Sequence, residues 1–212
     1  MGFLSIPSVL IAIVLGAATA EEPRAVEDRR AGPAVPPRDS VALGEPSSGR
    51  LVRGVQVPRT GRSWSTWDPI LKRSPNRPWR RWGTTRTVRR TVAAVRSYRR
   101  ANPRAPRVAI GDLSRPRGGD FGPRYGLPGH ASHQNGLDVD VYFPRVDRRA
   151  SAPGSAADVD RELAQELVDE FVAAGAELVF VGPAVGLGGP PDVVQVLPNH
   201  DDHLHARFPD PG

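Results

Sequence analysis

Cysteine is absent from the 212-residue chain, which excludes disulfide scaffolds, thiolate zinc sites and cysteine nucleophiles together. Any bound metal must be held by nitrogen and oxygen. Long apolar runs are scarce too. The one that exists, Phe3 to Leu15, is shorter than the roughly 20 residues that span a bilayer. It is followed by Ala18-Thr19-Ala20 and the acidic pair Glu21-Glu22, the pattern of a secretory signal over residues 1–20 with a small-residue cleavage site. No Lys or Arg precedes the run, so an uncleaved N-terminal membrane anchor is the alternative. In either case the working part of the chain is expected outside the cytoplasm: periplasmic, cell-wall-associated or secreted. Acidic residues are missing between Asp68 and Asp112, where Lys72 and twelve arginines stand. Histidine is missing everywhere except positions 130, 133, 200, 203 and 205.

The length suits one ordinary domain and a tail, not two large domains. Residues 21–61 are rich in Pro, Gly, Ser, Arg and acids without a period of two or 3.6, which predicts a flexible linker. The domain is expected over 62–212. Within it, Val88, Val92, Val95 and Tyr98 predict an amphipathic helix over 85–101 that Pro103 ends. Val159, Leu163, Leu167, Phe171 and Ala174 predict another over 158–174, stopped by Gly175. Strands are expected at 107–112, 137–143, 178–181, 193–197 and 204–208. Such irregular alternation favours an α+β domain on a small, mainly antiparallel sheet flanked by helices.

Residues two apart on a strand share a face, so His203 and His205 point one way while Leu204 and Ala206 turn to the core. Leu137, Val139, Val141 and Phe143 likewise oppose Asp138, Asp140 and Tyr142, and His133 lies on the Gly-containing turn before them. Pairing the two strands would gather several imidazoles and a carboxylate. That donor set suits zinc, whose catalytic sites keep three protein ligands and leave the fourth position to water. A lone histidine is more often structural than a ligand. Five in two groups, each beside a strand and off the core face, favour a metal site. Strand geometry does not separate Asp138 from Asp140.

The segment GDLSRPRGGDFGPRYGLPGHASHQNGLDVDVYFPR, followed by NHDDHLHARF, resembles the penicillin-insensitive murein endopeptidases, within the lysostaphin, D-Ala-D-Ala-metallopeptidase and hedgehog fold. The shared pattern is His, six residues, Asp, then a distant His-x-His. The resemblance implies that His133, Asp140 and His205 hold one zinc ion per chain, and it prefers Asp140 to Asp138. It makes His203 the catalytic residue. His200 matches a supporting or substrate-binding position, and His130 an additional metal contact. With no histidine from 134 to 199, a complete second metal site is not expected. Ser114, Arg115 and Arg117 fall in a loop that the resemblance puts beside the cleft, where an arginine would pair with a stem-peptide carboxylate; a plain glycine-rich turn is the alternative. Asp112 either orients a ligand histidine or caps a strand.

The activity implied is hydrolysis of the D-alanyl to meso-diaminopimelyl cross-link of peptidoglycan by direct attack of water, in keeping with indifference to penicillin, which traps serine nucleophiles. A D,D-carboxypeptidase and a non-catalytic wall-binding module are the rivals. The basic block could bind nucleic acid, but the export signal argues against that partner. A solvated helix face is the preferred reading of it, and the tryptophans at 64, 67, 79 and 82 are expected to be packing anchors.

Overall fold

The computed structural model describes residues 1–2, 35–126 and 129–210. The signal or anchor segment and the start of the linker fall outside these. Among the described residues no helix is long and apolar enough to cross a membrane.

Helix α1, Thr85–Ala101, begins where the Thr84 hydroxyl accepts the Thr87 N–H at 3.0 Å, and it ends as predicted before Pro103. Helix α2, Arg161–Ala173, starts later than its periodicity implies. Asp158 is used to close a turn, accepting the N–H groups of Gly154 and Ser155 at 2.9 and 3.1 Å, and Asp160 caps the helix instead. Both helices lay their apolar stripes on one face of a six-stranded sheet. Its strands are β4 (Trp64–Thr66), β6 (Val108–Ile110), β7 (Asp138–Tyr142), β8 (Leu178–Val181), β9 (Val194–Val196) and β10 (His203–Arg207). The order is β4-β6-β7-β10-β8-β9, with β4–β6 and β8–β9 parallel and the three central pairings antiparallel. The α+β, mainly antiparallel expectation therefore holds.

Val139 and Val141 of β7, Leu204 and Ala206 of β10, and Val179 and Val181 of β8 meet Val88, Val95, Leu167 and Phe171 of the helices in one core. The alternation of β7 thus faces the way the sequence implies. Its polar face is nevertheless buried as well, because the loops that carry Asn76, His130 and His133 cover it: Asp138 is 0% and Asp140 4% exposed.

Residues 41–57, inside the expected linker, are structured. They form β1 (Val41–Leu43) paired with β2 (Arg50–Val52), and β3 (Val55–Gln56) paired with β5 (Trp82–Gly83). Leu51, Val55 and Val57 are buried in them. Strands of two or three residues are too short to raise a period above the surrounding Pro and Gly.

Trp64 packs at 0% exposure with its indole N–H donating to Pro58 O at 3.1 Å. The basic block is less uniformly solvated than a helix face would be. Arg77 pairs with Asp68, Arg80 with Asp112, and Arg81, Arg90 and Arg99 donate to main-chain carbonyls.

Candidate metal centre

The β7–β10 ladder sets His205 opposite Asp140, His203 opposite Tyr142 and Arg207 opposite Asp138. All six side chains leave the face of the sheet away from the helices. His133 arrives from the turn before β7 with φ at +67°, a left-handed conformation uncommon outside glycine. Two bonds hold it there. Its main-chain N–H donates to Asp138 Oδ2 at 2.9 Å, and its Nδ1 lies 2.6 Å from Leu113 O. A carbonyl only accepts, so Nδ1 carries the proton and Nε2 presents a lone pair.

That Nε2 lies 3.2 Å from Asp140 Oδ1 and 3.1 Å from His205 Nδ1, and His205 Nδ1 lies 3.1 Å from Asp140 Oδ1. The three atoms form a nearly equilateral triangle. A tetrahedral cation bonded at about 2.0–2.1 Å spaces its ligand atoms about 3.3 Å apart, so this donor set fits zinc in type and in spacing. Asp138 also lies in a compact group with His133 and His205, but its oxygens are engaged elsewhere. They accept the His133 N–H at 2.9 Å and the Arg207 Nε at 2.7 Å, and one stands 3.4 Å from His205 Nε2. This is the place of a carboxylate that orients a ligand imidazole from behind.

The charges agree with that division. Burial would raise the Asp140 carboxyl, but His133, His205 and His203 hold it well below its ordinary value. Burial lowers His133, against the pull of Asp140, leaving it neutral and able to donate its lone pair. Burial alone would lower His205 as well, yet Asp138 and Asp140 together raise it to about 9. The pocket thus demands positive charge, which a proton on His205 or a cation among the three donors supplies.

His203 Nδ1 lies 2.6 Å from Asp202 Oδ1, and its Nε2 is 3.8 Å from Asp140 Oδ1. Burial opposes its charging, but Asp202 and Asp140 raise it above the ordinary imidazole value. His200 stands beside it, ring centroids 4.9 Å apart, with Nδ1 donating to Pro198 O at 2.9 Å. His130 approaches from the opposite loop. Its Nε2 bonds Asp112 Oδ2 at 2.9 Å and its Nδ1 is 3.7 Å from Asp140 Oδ2. Asp112, wholly buried, also takes Asn76 Nδ2 at 2.9 Å and both Arg80 Nε, at 2.7 Å, and Arg80 Nη2. All five histidines therefore converge, and Asp112 orients one of them.

The cluster floors a cavity of about 840 Å³ with apolar walls from Pro69, Ile70, Phe180, Leu197 and Pro198. Tyr142 also lines it; burial, with Asp112 and Asp140 near, pushes its phenol well above the ordinary value, so it remains a neutral O–H. Ser114, Arg115 and Arg117 do not line it, contrary to the expectation for that loop. Ser114 is buried and its backbone pairs with Trp82, which turns the loop away. Arg115 lies over the Tyr125 ring and donates to Asp120 O. Arg80, Asn76, Asp138 and Tyr142 were not singled out as supports of the centre by the sequence. Arg80 is one arginine among twelve in its block and has no motif to mark it.

A family model described as penicillin-insensitive murein endopeptidase matches residues 42–174, a span that holds His130, His133 and Asp140 and ends before β10. No curated protein matches the chain.

Proposed function

The chain belongs to the penicillin-insensitive murein endopeptidase family, and from that premise we propose that it is an exported, zinc-dependent peptidase cleaving the D-alanyl to meso-diaminopimelyl cross-links of peptidoglycan. The observation that carries the reading is the triangle of His133 Nε2, His205 Nδ1 and Asp140 Oδ1, with edges of 3.1–3.2 Å, on the floor of a cavity large enough for a branched peptide. Zinc held by these residues would polarise the scissile carbonyl and acidify the attacking water.

The remaining work falls to the protein. Asp202 fixes His203 Nδ1, so that Nε2 faces the cavity within reach of a proton on the attacking water and, later, of the leaving amine. A protonated His203 and the neutral Tyr142 hydroxyl opposite it offer donors to the oxygen that gains charge. Asp138 and the Leu113 carbonyl keep the two ligand imidazoles in the tautomers that present Nδ1 of His205 and Nε2 of His133. Ile70, Phe180 and Leu197 give the cavity an apolar wall beside the reacting groups.

The test is incubation of the protein with a purified cross-linked muropeptide dimer, with and without chelator. Conversion to monomers that chelator abolishes and added zinc restores is the expected outcome. Release of free D-alanine alone would make it a carboxypeptidase, and binding without products a wall-binding module.

A further inference from the structure

A second cavity, of about 460 Å³, lies apart from the histidine cluster. Arg38, Arg50, Arg53 and Arg117 line it, with Trp82 and Val52 between them, and no acidic side chain does. Among the described residues none of the four forms an ion pair; Arg53 donates to a main-chain carbonyl, that of Asp39, at 2.8 Å. Four like charges around one concavity repel each other and draw a polyanion. The planar guanidinium fork recognises carboxylate or phosphate by paired hydrogen bonds.

The surroundings favour a carboxylate polymer with apolar faces over a bare phosphodiester chain. Trp82, Leu51 and Val52 supply an apolar floor, and Trp82 has a buried indole N–H that no described residue accepts. On the hairpin, Val41 stands opposite Val52 and Leu43 opposite Arg50, with Val41 38% and Leu43 49% exposed. An exposed aliphatic strip edged by arginines, with the half-buried Trp82 beside it, matches sugar rings and short peptides that carry carboxylates.

The two cavities share one piece of chain. Ser47, in the turn between β1 and β2, lines the cavity over the histidines, whereas Arg50 to Arg53 line the second. That turn is tied to the segment just after His133: Gln134 N–H donates to Pro46 O at 2.9 Å, and Asn135 Nδ2 to Gly44 O at 2.9 Å.

We propose that the arginine-lined cavity is an accessory binding site for the carboxylate-bearing peptidoglycan strand, holding the polymer while one of its cross-links occupies the cavity over the histidines. The proposal rests on the murein reading above. Its test is co-sedimentation of the full chain with insoluble peptidoglycan stripped of phosphodiester polymers, comparing the wild type with the Arg50→Glu/Arg117→Glu and Arg50→Gln/Arg117→Gln variants. Both arginines are exposed and neither lines the histidine cavity. Affinity for the polymer should fall about tenfold or more in the Glu variant and less in the Gln variant, while turnover of a soluble dimer stays unchanged. Wild-type sedimentation by both variants overturns the proposal, as does wild-type binding that requires walls still carrying phosphodiester polymers. Sedimentation does not depend on turnover, so arginine-dependent binding without dimer cleavage supports the accessory site and removes the peptidase reading instead.

Discussion

His205 stands directly across the β7–β10 ladder from Asp140, its Nδ1 3.1 Å from Asp140 Oδ1 and its Nε2 3.4 Å from Asp138 Oδ1. One imidazole thus lies between two carboxylates two residues apart on the neighbouring strand, hydrogen-bonded to Asp140 and in ion-pair range of Asp138. The ladder fixes the contact by register, so a slip of one residue would turn every one of these groups to the other face.

The first prediction separates binding from chemistry. His205→Ala should lose the metal, whereas His203→Ala should keep it and lose turnover by about 10²–10⁴-fold, the range for a general acid or base. Metal content per chain and dimer cleavage, measured on both variants, check this. Equal metal content with full activity in both would remove the assignment of roles.

Asp138→Asn keeps the shape but weakens the hold on His205. Zinc affinity should drop about 10–100-fold, as for other carboxylates behind a ligand imidazole. Competition with a chromophoric chelator measures it, and an unchanged affinity would give Asp138 no part in orienting the ligand.

Stability should depend on pH differently with and without metal. In the chelated protein the folded state holds the His205 proton up to about pH 9, above the ordinary imidazole value of 6.5. The stabilisation is therefore complete below pH 6.5 and lost as pH rises through 9. Melting curves should show the chelated protein losing Tm over this window and the zinc-loaded protein losing less. Parallel curves would contradict it. At the acid end, Asp112 and Asp138 are held below the ordinary carboxylate value of 3.8, so their contribution is present above that pH and lost as pH falls below it.

Arg80→Ala should cost about 3–5 kcal/mol, because it strips a fully buried Asp112 of its guanidinium and leaves an uncompensated charge. Chemical denaturation is the measurement. A loss under about 1 kcal/mol, the range of an exposed pair, would mean that the pair is solvated in solution.

A chain beginning at residue 62 lacks Leu51, Val55 and Val57, all buried. It should melt well below a chain beginning at 35, or fail to fold, since each large aliphatic lost from a core costs about 2–5 kcal/mol. Equal melting temperatures would return residues 41–57 to the linker.

Much of this was legible along the chain because it depends on short-range periodicity. Helix α1 follows from Val88, Val92, Val95 and Tyr98, and β7 from strict alternation. The shared face of His203 and His205 follows from their strand, and the donor chemistry from the lack of cysteine, whereas His130, His133 and His200 are brought in by loops. Helix α2 starts three residues after its expected start because Asp158 and Asp160 are both able to cap, and only the neighbouring N–H groups of Gly154 and Ser155 decide between them.

The sequence by itself determined which residue types could hold a cation, which faces they occupy on their strands, and that residues 85–101 are helical. Only the tertiary structure decided that Asp138 stands behind His205 and takes Arg207, that Arg80 and Asn76 support His130 through Asp112, and that Ser114, Arg115 and Arg117 lie outside the histidine cavity. Local propensity acts over a few residues. The partner of a buried charge is chosen by strand register and loop packing across as many as 69 positions, the separation of Asp138 from Arg207.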